Sequence, residues 1–233
     1  MNKSDLVVLI PTFNESQRIG SVVSAIRDHG YSVLVVDDGS SDDTAEEARR
    51  FGAEVLTSPV NHGKGATLTR GFDYFLGKDH PVLVIMDGDG QHDPQELDRF
   101  LEAMNSPAAD VVVGNRMQNP EGMPWERRLT NRLMSWVISK LAGQTIPDSQ
   151  CGYRALKREV LTEVALRSRR FEIESEMLLE AAKAGFRIAS IPVRSVYGGE
   201  KSQIRPFSDT CRFLRFLILY FFRENFSKKH KVS

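Results

Sequence analysis

The sequence predicts a single α/β domain built on a doubly wound, mostly parallel sheet. Short apolar runs alternate with helical patterns through the first half of the chain, and the run at 82–86, Val-Leu-Val-Ile-Met, is apolar throughout. Strands buried on both faces of a parallel sheet have this composition, and the alternation with helices is typical of a doubly wound fold. With 233 residues and 41% hydrophobic composition, the chain can bury one substantial core.

The predicted elements follow in a regular order. Apolar runs predict strands at 6–10, 32–36, 54–57, 82–86 and 111–113. Helical patterns lie between them at 16–28, 42–51, 64–76 and 94–104. The last of these helices has Pro94 in its first turn, with Asp93 as its cap. The second half is mixed, with helices predicted at 125–141, 157–166 and 174–184 and a strand at 188–193.

The C-terminal part differs from the rest in charge. Residues 201–233 contain eight Lys or Arg and two Asp or Glu, a net charge of +6 against −6 for the remainder. The stretch 213–222 is apolar apart from Arg215, but its uninterrupted part has seven residues, far fewer than the roughly 20 of a spanning helix. It fits a helix lying in a membrane interface, or equally a helix buried on the domain or in a dimer interface. We therefore expect a catalytic domain at 1–205 and an amphipathic helix with a basic tail at 206–233.

Two further features bear on location and redox chemistry. The N-terminal apolar run at 6–10 is too short for a signal peptide or a membrane span, which predicts a protein on the cytoplasmic side. Cys151 and Cys211 lack the close spacing of a metal knuckle and are too few for a disulfide framework, so we expect reduced thiols.

Acidic residues follow two of the predicted strands. Asp87 and Asp89 come directly after the run at 82–86, and Asp37 and Asp38 end the run at 32–36. The carboxyl ends of parallel strands are where such sheets bind ligands. Partly buried neighbouring carboxylates are costly unless a cation or a cluster of hydrogen-bond donors compensates them. For the first pair, a divalent metal that holds a diphosphate is the candidate. A carboxylate of the second pair can accept hydrogen bonds from a nucleobase or a ribose hydroxyl.

Two phosphate-binding patterns are absent. The first strand ends in Pro-Thr-Phe-Asn-Glu without a glycine-rich turn, which argues against a dinucleotide-binding domain. The segment 61–66, Asn-His-Gly-Lys-Gly-Ala, lacks the spacing of a P-loop. It can still place Lys64 against a phosphate.

Four segments resemble the family-2 inverting glycosyltransferases, which have a GT-A fold. They are Pro-Thr-Phe-Asn-Glu at 11–15, Val-Asp-Asp-Gly-Ser at 36–40, Gly-Lys-Gly at 63–65 and Asp-Gly-Asp-Gly-Gln-His at 87–92. The resemblance implies that the Asp-x-Asp motif binds Mg²⁺ or Mn²⁺ on the donor diphosphate, with Asp87, Asp89 and the amide oxygen of Gln91 as ligands if the chain turns at Gly88 and Gly90. The predicted donor-binding residues are Pro11, Phe13, Glu15, Asp37, Asp38, Lys64 and Asp87.

Segments of the second half resemble one subgroup, the polyprenyl-phosphate hexose synthases. These segments are 113–116, 126–132, 148–154, 171–177 and 197–202, so the resemblance covers about 5–205. It implies transfer of mannose or glucose from GDP-mannose or UDP-glucose to a polyprenyl phosphate. Arg116 and Arg132 match the positions assigned to the acceptor phosphate, which a planar guanidinium grips with two hydrogen bonds. Ser202 completes the predicted acceptor set.

The nature of the acceptor decides which catalytic groups are needed. A phosphate monoester has a second pKa of about 6 and is already anionic near neutral pH. A hydroxyl acceptor of a polysaccharide or glycolipid, the alternative function, would need a general base, for which Asp148 is the candidate. Together with the residues named above, the predicted catalytic residues are Asp89, Arg116, Arg132 and Asp148.

A second alternative function is a non-catalytic binding protein. A non-catalytic binding protein on the same fold has no need to place carboxylates and guanidiniums around one site, which argues against it. We expect no nucleic-acid partner. Contact with the cytoplasmic membrane face is expected through 209–226, while a separate membrane partner or a homodimer is left open.

Overall fold

One seven-stranded sheet organises the part of the chain that the structure describes. The computed structural model describes residues 1–194, 213, 215–220 and 222. The strands are β1 Leu6–Thr12, β2 Ser32–Asp37, β3 Glu54–Thr57, β4 Val82–Ile85, β5 Val111–Asn115, β6 Arg154–Lys157 and β7 Ile188–Pro192. The α-helices are α1 Ser16–Asp28, α2 Thr44–Arg50, α3 Lys64–Leu76, α4 Leu97–Asn105, α5 Trp125–Ala142, α6 Arg158–Glu163 and α7 Ile173–Lys183. The predicted single-domain α/β fold with a mostly parallel sheet is confirmed.

The sheet is parallel except around one strand. Its order is β3-β2-β1-β4-β6-β5-β7, and β6 runs antiparallel to both β4 and β5. All seven residues of β1 are buried, with Val8 opposite Val33 on one side and Val84 on the other. The uniformly apolar runs therefore form the interior strands, as their composition predicted.

Strand β6 is not predicted by the sequence. Its four residues, Arg-Ala-Leu-Lys, contain no β-branched or aromatic side chain, so local preference gives no strand signal. Ala155 pairs with Val84 of β4 and Val112 of β5. The strand therefore forms because it fills the space between two apolar neighbours.

Three predicted helices are shorter than expected. The helix predicted at 42–51 spans only Thr44–Arg50. The predicted helix at 94–104 divides into a 3₁₀ turn, Pro94–Glu96, and α4, and the Asp93 side chain accepts from the Gln95 amide as predicted. The predicted helix at 157–166 ends at Glu163. Beyond it, the backbone amides of Arg167 and Ser168 donate to the buried carboxylate of Glu176 instead of continuing the helix.

The C-terminal segment packs one face on the domain. The described residues among 213–222 are helical. Their buried members, spaced by three, one and three residues, belong to the main apolar core: Phe213, Phe216, Leu217 and Tyr220. This face fits the predicted burial on the domain, and the rest of 209–226 lies outside the described residues or is exposed. No helix in the described ranges is both long and apolar enough to cross a bilayer.

Candidate active site

The carboxyl ends of three adjacent strands meet at one edge of the sheet. Thr12 at the end of β1 is in register with Asp37 at the end of β2, and Ile85 of β4 pairs with Leu9. Two residues beyond β4 lies Asp87. A Cβ on Gly88 would be 3.3 Å from Thr12 Oγ1, so the Asp-Gly-Asp segment lies directly beside the end of β1. The predicted donor and metal residues therefore share one edge.

Hydrogen bonds tie the loops after β1 and β2 together. Asn14, whose φ is +56°, accepts from the Ser41 amide through its side chain, and its own amide donates to Ser40 Oγ. The Glu15 amide donates to Thr44 Oγ1. Because each of these hydrogen bonds joins the two loops, the loops form one continuous surface.

The residues predicted to hold the nucleoside differ in their surroundings. Pro11 is buried inside β1, while Phe13 is exposed beyond its end. Burial raises the pKa of the Glu15 carboxyl above its ordinary value; Arg18 opposes this shift and the charge of Asp89 adds to it. Asp37 accepts from the amide and hydroxyl of Ser40.

Asp38 holds the loop that precedes α3. Its Oδ1 accepts from the His62 amide at 2.9 Å and its Oδ2 from the Gly63 amide at 2.7 Å. Gly63 has a φ of +91°, a conformation that favours glycine. Asp38 therefore fixes the backbone from which Lys64 projects, while a role in binding the nucleoside remains a prediction.

Lys64 lies between two carboxylates at the centre of this edge. Its Nζ is 2.6 Å from Asp87 Oδ1 and 2.7 Å from Glu174 Oε1. Burial alone would lower the pKa of Lys64, but the two carboxylates raise it above its usual value. Lys64 is thus a permanent cation beside the first aspartate of the Asp-x-Asp motif.

Asp87 also lies next to the imidazole of His92. His92 Nε2 is 3.6 Å from Asp87 Oδ2, and the imidazole packs 4.9 Å from the Tyr153 ring, centroid to centroid. Burial would raise the pKa of Asp87, but Lys64 and His92 hold it well below its ordinary value. The carboxylate therefore stays ionised at neutral pH.

The residues present fit a divalent cation. Asp89 Oδ1 accepts a hydrogen bond from the backbone N–H of Gln91 at 2.9 Å, and Gly90 turns the chain with a φ of +75°. Ionised carboxylate and amide oxygens are the donors that Mg²⁺ and Mn²⁺ prefer. In the described part of the chain, no group of three His, Cys, Asp or Glu is arranged to hold a metal. The candidate set thus rests on Asp87, Asp89 and the amide oxygen of Gln91, and their convergence on one ion is a proposal.

Arg116 and Asp148 form a buried pair next to the polar loop after β5. Arg116 Nε donates to Asp148 Oδ2 at 2.8 Å and its Nη2 to Oδ1 at 2.9 Å, and the Arg116 amide also donates to Oδ2 at 3.1 Å. Asp148 is completely buried. The carboxylate predicted as a base therefore orients the guanidinium predicted to bind the acceptor.

The remaining acceptor residues are less closely placed. Arg132 lies on the exposed face of α5, whereas Arg116 is buried. Ser202, predicted to contact the acceptor phosphate, lies outside the described residues. Both assignments remain predictions.

Glu174 and Arg154 belong to this site but were not predicted as site residues. The fully buried Arg154 donates to the Ser149, Cys151 and Glu174 carbonyl oxygens, and its guanidinium is 4.0 Å from the Glu174 carboxylate. It thereby joins the segment around Asp148 to the start of α7. The available signal was that Arg154 and Glu174 stand in two of the segments that resemble the subgroup, 148–154 and 171–177.

The Gly-Lys-Gly segment is shaped by a close backbone contact. A Cβ on Gly65 would lie 2.4 Å from the carbonyl carbon of Arg169 and 2.6 Å from the Ser168 oxygen. The Ala66 amide donates to the Arg169 oxygen at 3.1 Å. Gly65 therefore allows the 168–170 backbone to pass directly over the start of α3.

The fold and this edge define a class of protein. A mixed sheet with a lysine and an Asp-x-Asp motif at its carboxyl edge is the arrangement of a GT-A glycosyltransferase. The sequence model described as glycosyl transferase family 2 matches residues 7–165, and the chain belongs to this family. The protein is therefore a glycosyltransferase, as predicted.

Individual relatives share most of the chain. A dolichyl-phosphate hexose transferase of Haloferax volcanii is 33% identical, over 88% of this chain and 88% of the relative. A polyprenol monophosphomannose synthase of Mycolicibacterium smegmatis is 33% identical, over 80% of this chain and 76% of the relative. The crystal structure of glucosyl-3-phosphoglycerate synthase from Mycobacterium tuberculosis with Mn²⁺, UDP and phosphoglyceric acid matches with a TM-score of 0.70. It is 20% identical and covers 92% of this chain and 75% of that one, which supports the fold.

Proposed function

We propose that this enzyme transfers a hexose, mannose or glucose, from a nucleotide-sugar to a polyprenyl phosphate, with inversion at the anomeric carbon. The relatives named for dolichyl-phosphate hexose transfer and polyprenol monophosphomannose synthesis support this acceptor class. Both match the chain over at least 80% of its length. The family shows that the chain is a glycosyltransferase, and the proposal adds the class of acceptor.

The pairing of Asp148 with Arg116 carries the choice of acceptor. A hydroxyl acceptor needs a base with access to its proton, but both oxygens of the Asp148 carboxylate accept from Arg116 and the residue is fully buried. A phosphate monoester is already anionic near neutral pH and needs no such base. An oriented guanidinium suits that anion, because it has five N–H donors and Asp148 accepts only from its Nε and Nη2.

The donor side is supported by the charges around Asp87. When bound there, Mg²⁺ or Mn²⁺ would neutralise the charge that develops on the departing nucleoside diphosphate. Lys64 supplies a fixed positive charge at the same place, held by Asp87 and Glu174. The acceptor phosphate oxygen then forms the new bond to the anomeric carbon as the bond to the diphosphate breaks. Arg116 and Arg132 hold the attacking phosphate, and we place the reaction at the cytoplasmic membrane face.

The test incubates the full chain with labelled GDP-mannose or UDP-glucose and a short polyprenyl phosphate in detergent, with Mg²⁺, Mn²⁺ or chelator. We expect a glycolipid that extracts into organic solvent from one donor only, with a β-anomeric linkage by NMR, and no product with chelator. Asp89→Asn is the matched inactive control, provided that it keeps its circular dichroism spectrum. Transfer to the polyprenol hydroxyl in place of the phosphate, or no product from either donor, would refute the proposal.

A further inference from the structure

Phe171 is an exposed aromatic residue beside the lysine of the candidate active site. It stands two residues before the start of α7 and is 68% exposed. The Nζ of Lys64 lies 5.7 Å from the centroid of its ring. Glu174, which contacts the same ammonium at 2.7 Å, follows three residues later. The ring therefore borders the space around Lys64 and leaves most of its own surface open to a ligand.

Hydrogen bonds fix the segment that carries this ring. The carboxylate of Glu176, which is fully buried, accepts from the backbone amides of 167–168 at 2.9 and 2.7 Å. The Ala66 amide at the start of α3 donates to the Arg169 carbonyl at 3.1 Å. Burying a carboxylate in order to hold a loop is costly, which indicates that the position of this loop matters. Phe171 is thus held beside the active site in spite of its exposure.

The covalent structure of the donor indicates what lies against the ring. In a nucleotide-sugar the hexose is bonded directly to the diphosphate, whereas the nucleobase is separated from the diphosphate by the ribose. Lys64 is a predicted donor-binding residue beside the diphosphate, so the hexose is the part of the donor that can reach a ring 5.7 Å from its ammonium. One face of a hexose presents mainly C–H groups, and aromatic side chains commonly line ligand sites against such apolar surface.

We propose that Phe171 is a binding residue for the donor sugar, and that its ring stacks on the C–H face of the hexose. Phe171 takes this role only if the donor is a nucleotide-sugar, so the inference rests on the proposed function. It adds a contact to the hexose itself, since the predicted donor residues concern the nucleoside and the diphosphate. The isoprenoid chain of the acceptor is a poorer occupant, because it lies beyond the acceptor phosphate, which we assign to Arg116 and Arg132.

Calorimetry without acceptor isolates the contact with the hexose. The full chain with Mn²⁺ is titrated with GDP-mannose and GDP, and separately with UDP-glucose and UDP. We expect Phe171→Ala to weaken binding of the preferred nucleotide-sugar roughly fivefold and to leave binding of the matching nucleoside diphosphate unchanged. Phe171→Tyr keeps an aromatic face and should bind like the parent. The control Phe222→Ala, which removes a ring 64% exposed in the C-terminal segment, should also bind like the parent.

Four outcomes would overturn the proposal. Equal weakening of nucleotide-sugar and nucleoside diphosphate would show that the ring acts on Lys64 or on the diphosphate. Unchanged binding of the nucleotide-sugar by Phe171→Ala, with its circular dichroism spectrum intact, would show that the hexose does not contact the ring. Unchanged donor binding with a raised KM for polyprenyl phosphate would assign the ring to the isoprenoid chain. Binding of neither nucleotide-sugar by the parent would remove the ligand that the proposal requires.

The transfer assay distinguishes this inference from the proposed function. Transfer to polyprenyl phosphate by the parent, together with unchanged nucleotide-sugar binding by Phe171→Ala, would overturn the Phe171 proposal and leave the proposed function standing. Selective loss of nucleotide-sugar affinity in Phe171→Ala, without transfer to any polyprenyl phosphate by the parent, would support the Phe171 proposal and count against the function.

Discussion

Lys64 Nζ lies 2.6 Å from Asp87 Oδ1, so a protein cation already occupies one oxygen of the first aspartate in the Asp-x-Asp motif. Glu174, on the other side of the ammonium at 2.7 Å, holds Lys64 in this position. A divalent ion and the lysine therefore act on the same carboxylate. The divalent ion and Lys64 can both act on the donor diphosphate only if Asp87, Glu174 and the phosphates together balance their positive charges.

Substitution of Lys64 by glutamine tests this relationship. We expect Lys64→Gln to bind Mn²⁺ roughly tenfold more tightly without donor, because a positive charge next to the carboxylate is removed. We expect transfer to fall roughly 100-fold, since a fixed charge that stabilises the leaving diphosphate is lost. Calorimetric Mn²⁺ titration and initial rates measure the two effects, with the exposed Lys78→Gln as control. Equal or weaker Mn²⁺ binding by Lys64→Gln would show that lysine and metal do not share Asp87.

Asp148→Asn tests whether this buried carboxylate positions Arg116 or removes a proton. Asparagine keeps the shape and one acceptor oxygen but cannot be a base at neutral pH. We expect appreciable transfer with a raised KM for polyprenyl phosphate, an unchanged shape of the pH–rate profile, and lower stability because a buried charge loses its partner. Steady-state kinetics with varied acceptor and thermal unfolding provide the readouts, with the exposed Asp73→Asn as control. Near-complete loss of kcat in a folded variant that still binds donor would favour the hydroxyl-acceptor alternative.

The main strands could be predicted because their signal is local. The apolar runs of β1, β2 and β4 require burial on both faces, and the residues that follow them must then lie at one edge of the sheet. Asp38, Lys64 and Asp87 meet for this reason. By contrast, β6 depends on pairing with β4 and β5, and no property of its own four residues requires a strand.

The unpredicted site residues depend on contacts between distant parts of the chain. Glu174 reaches Lys64 across 110 positions, and its carboxylate is positioned by the first turn of α7 and by Arg154. Such contacts leave no periodic pattern in the sequence. Asp148 was predicted as the candidate general base for a hydroxyl acceptor, but its pairing with Arg116 follows from tertiary structure that spacing does not reveal.

Gly65 is expected to tolerate no side chain. In Gly65→Ala the new methyl group would overlap the Arg169 backbone, so the 168–170 segment or the start of α3 must move. We expect a loss of about 1–3 kcal/mol in the free energy of unfolding and weaker binding of the donor, because Lys64 is the adjacent residue. Urea unfolding and donor titration measure both effects. Gly77→Ala, at a helical φ of −77°, is the control that should change little; similar losses in both variants would argue against a specific contact.

Asp110 should make the fold sensitive to acid. Its carboxylate accepts from Lys157 Nζ at 2.9 Å, and from the Arg187 amide at 2.9 Å and Nε at 3.2 Å. Burial would raise its pKa, but the hydrogen bonds from Arg187 and Lys157 lower it from 3.8 to about 2. A carboxyl with a lowered pKa in the folded state contributes stability above its unfolded pKa, and that contribution is lost as the pH falls from about 4 to about 2.

The matching experiment compares Asp110→Asn with the parent by urea unfolding at several pH values. We expect the variant to be about 2 kcal/mol less stable at pH 7, because the lowering of the Asp110 pKa from 3.8 to about 2 corresponds to roughly 2.5 kcal/mol before solvent screening. We expect the difference to shrink as the pH approaches 2. The exposed Asp79→Asn should follow the parent throughout. A stability difference that stays constant from pH 7 to pH 2 would mean that the charge of Asp110 is not what stabilises the junction between β5, β6 and β7. A stability difference that disappears in acid would show that the ionised Asp110 carboxylate stabilises this junction.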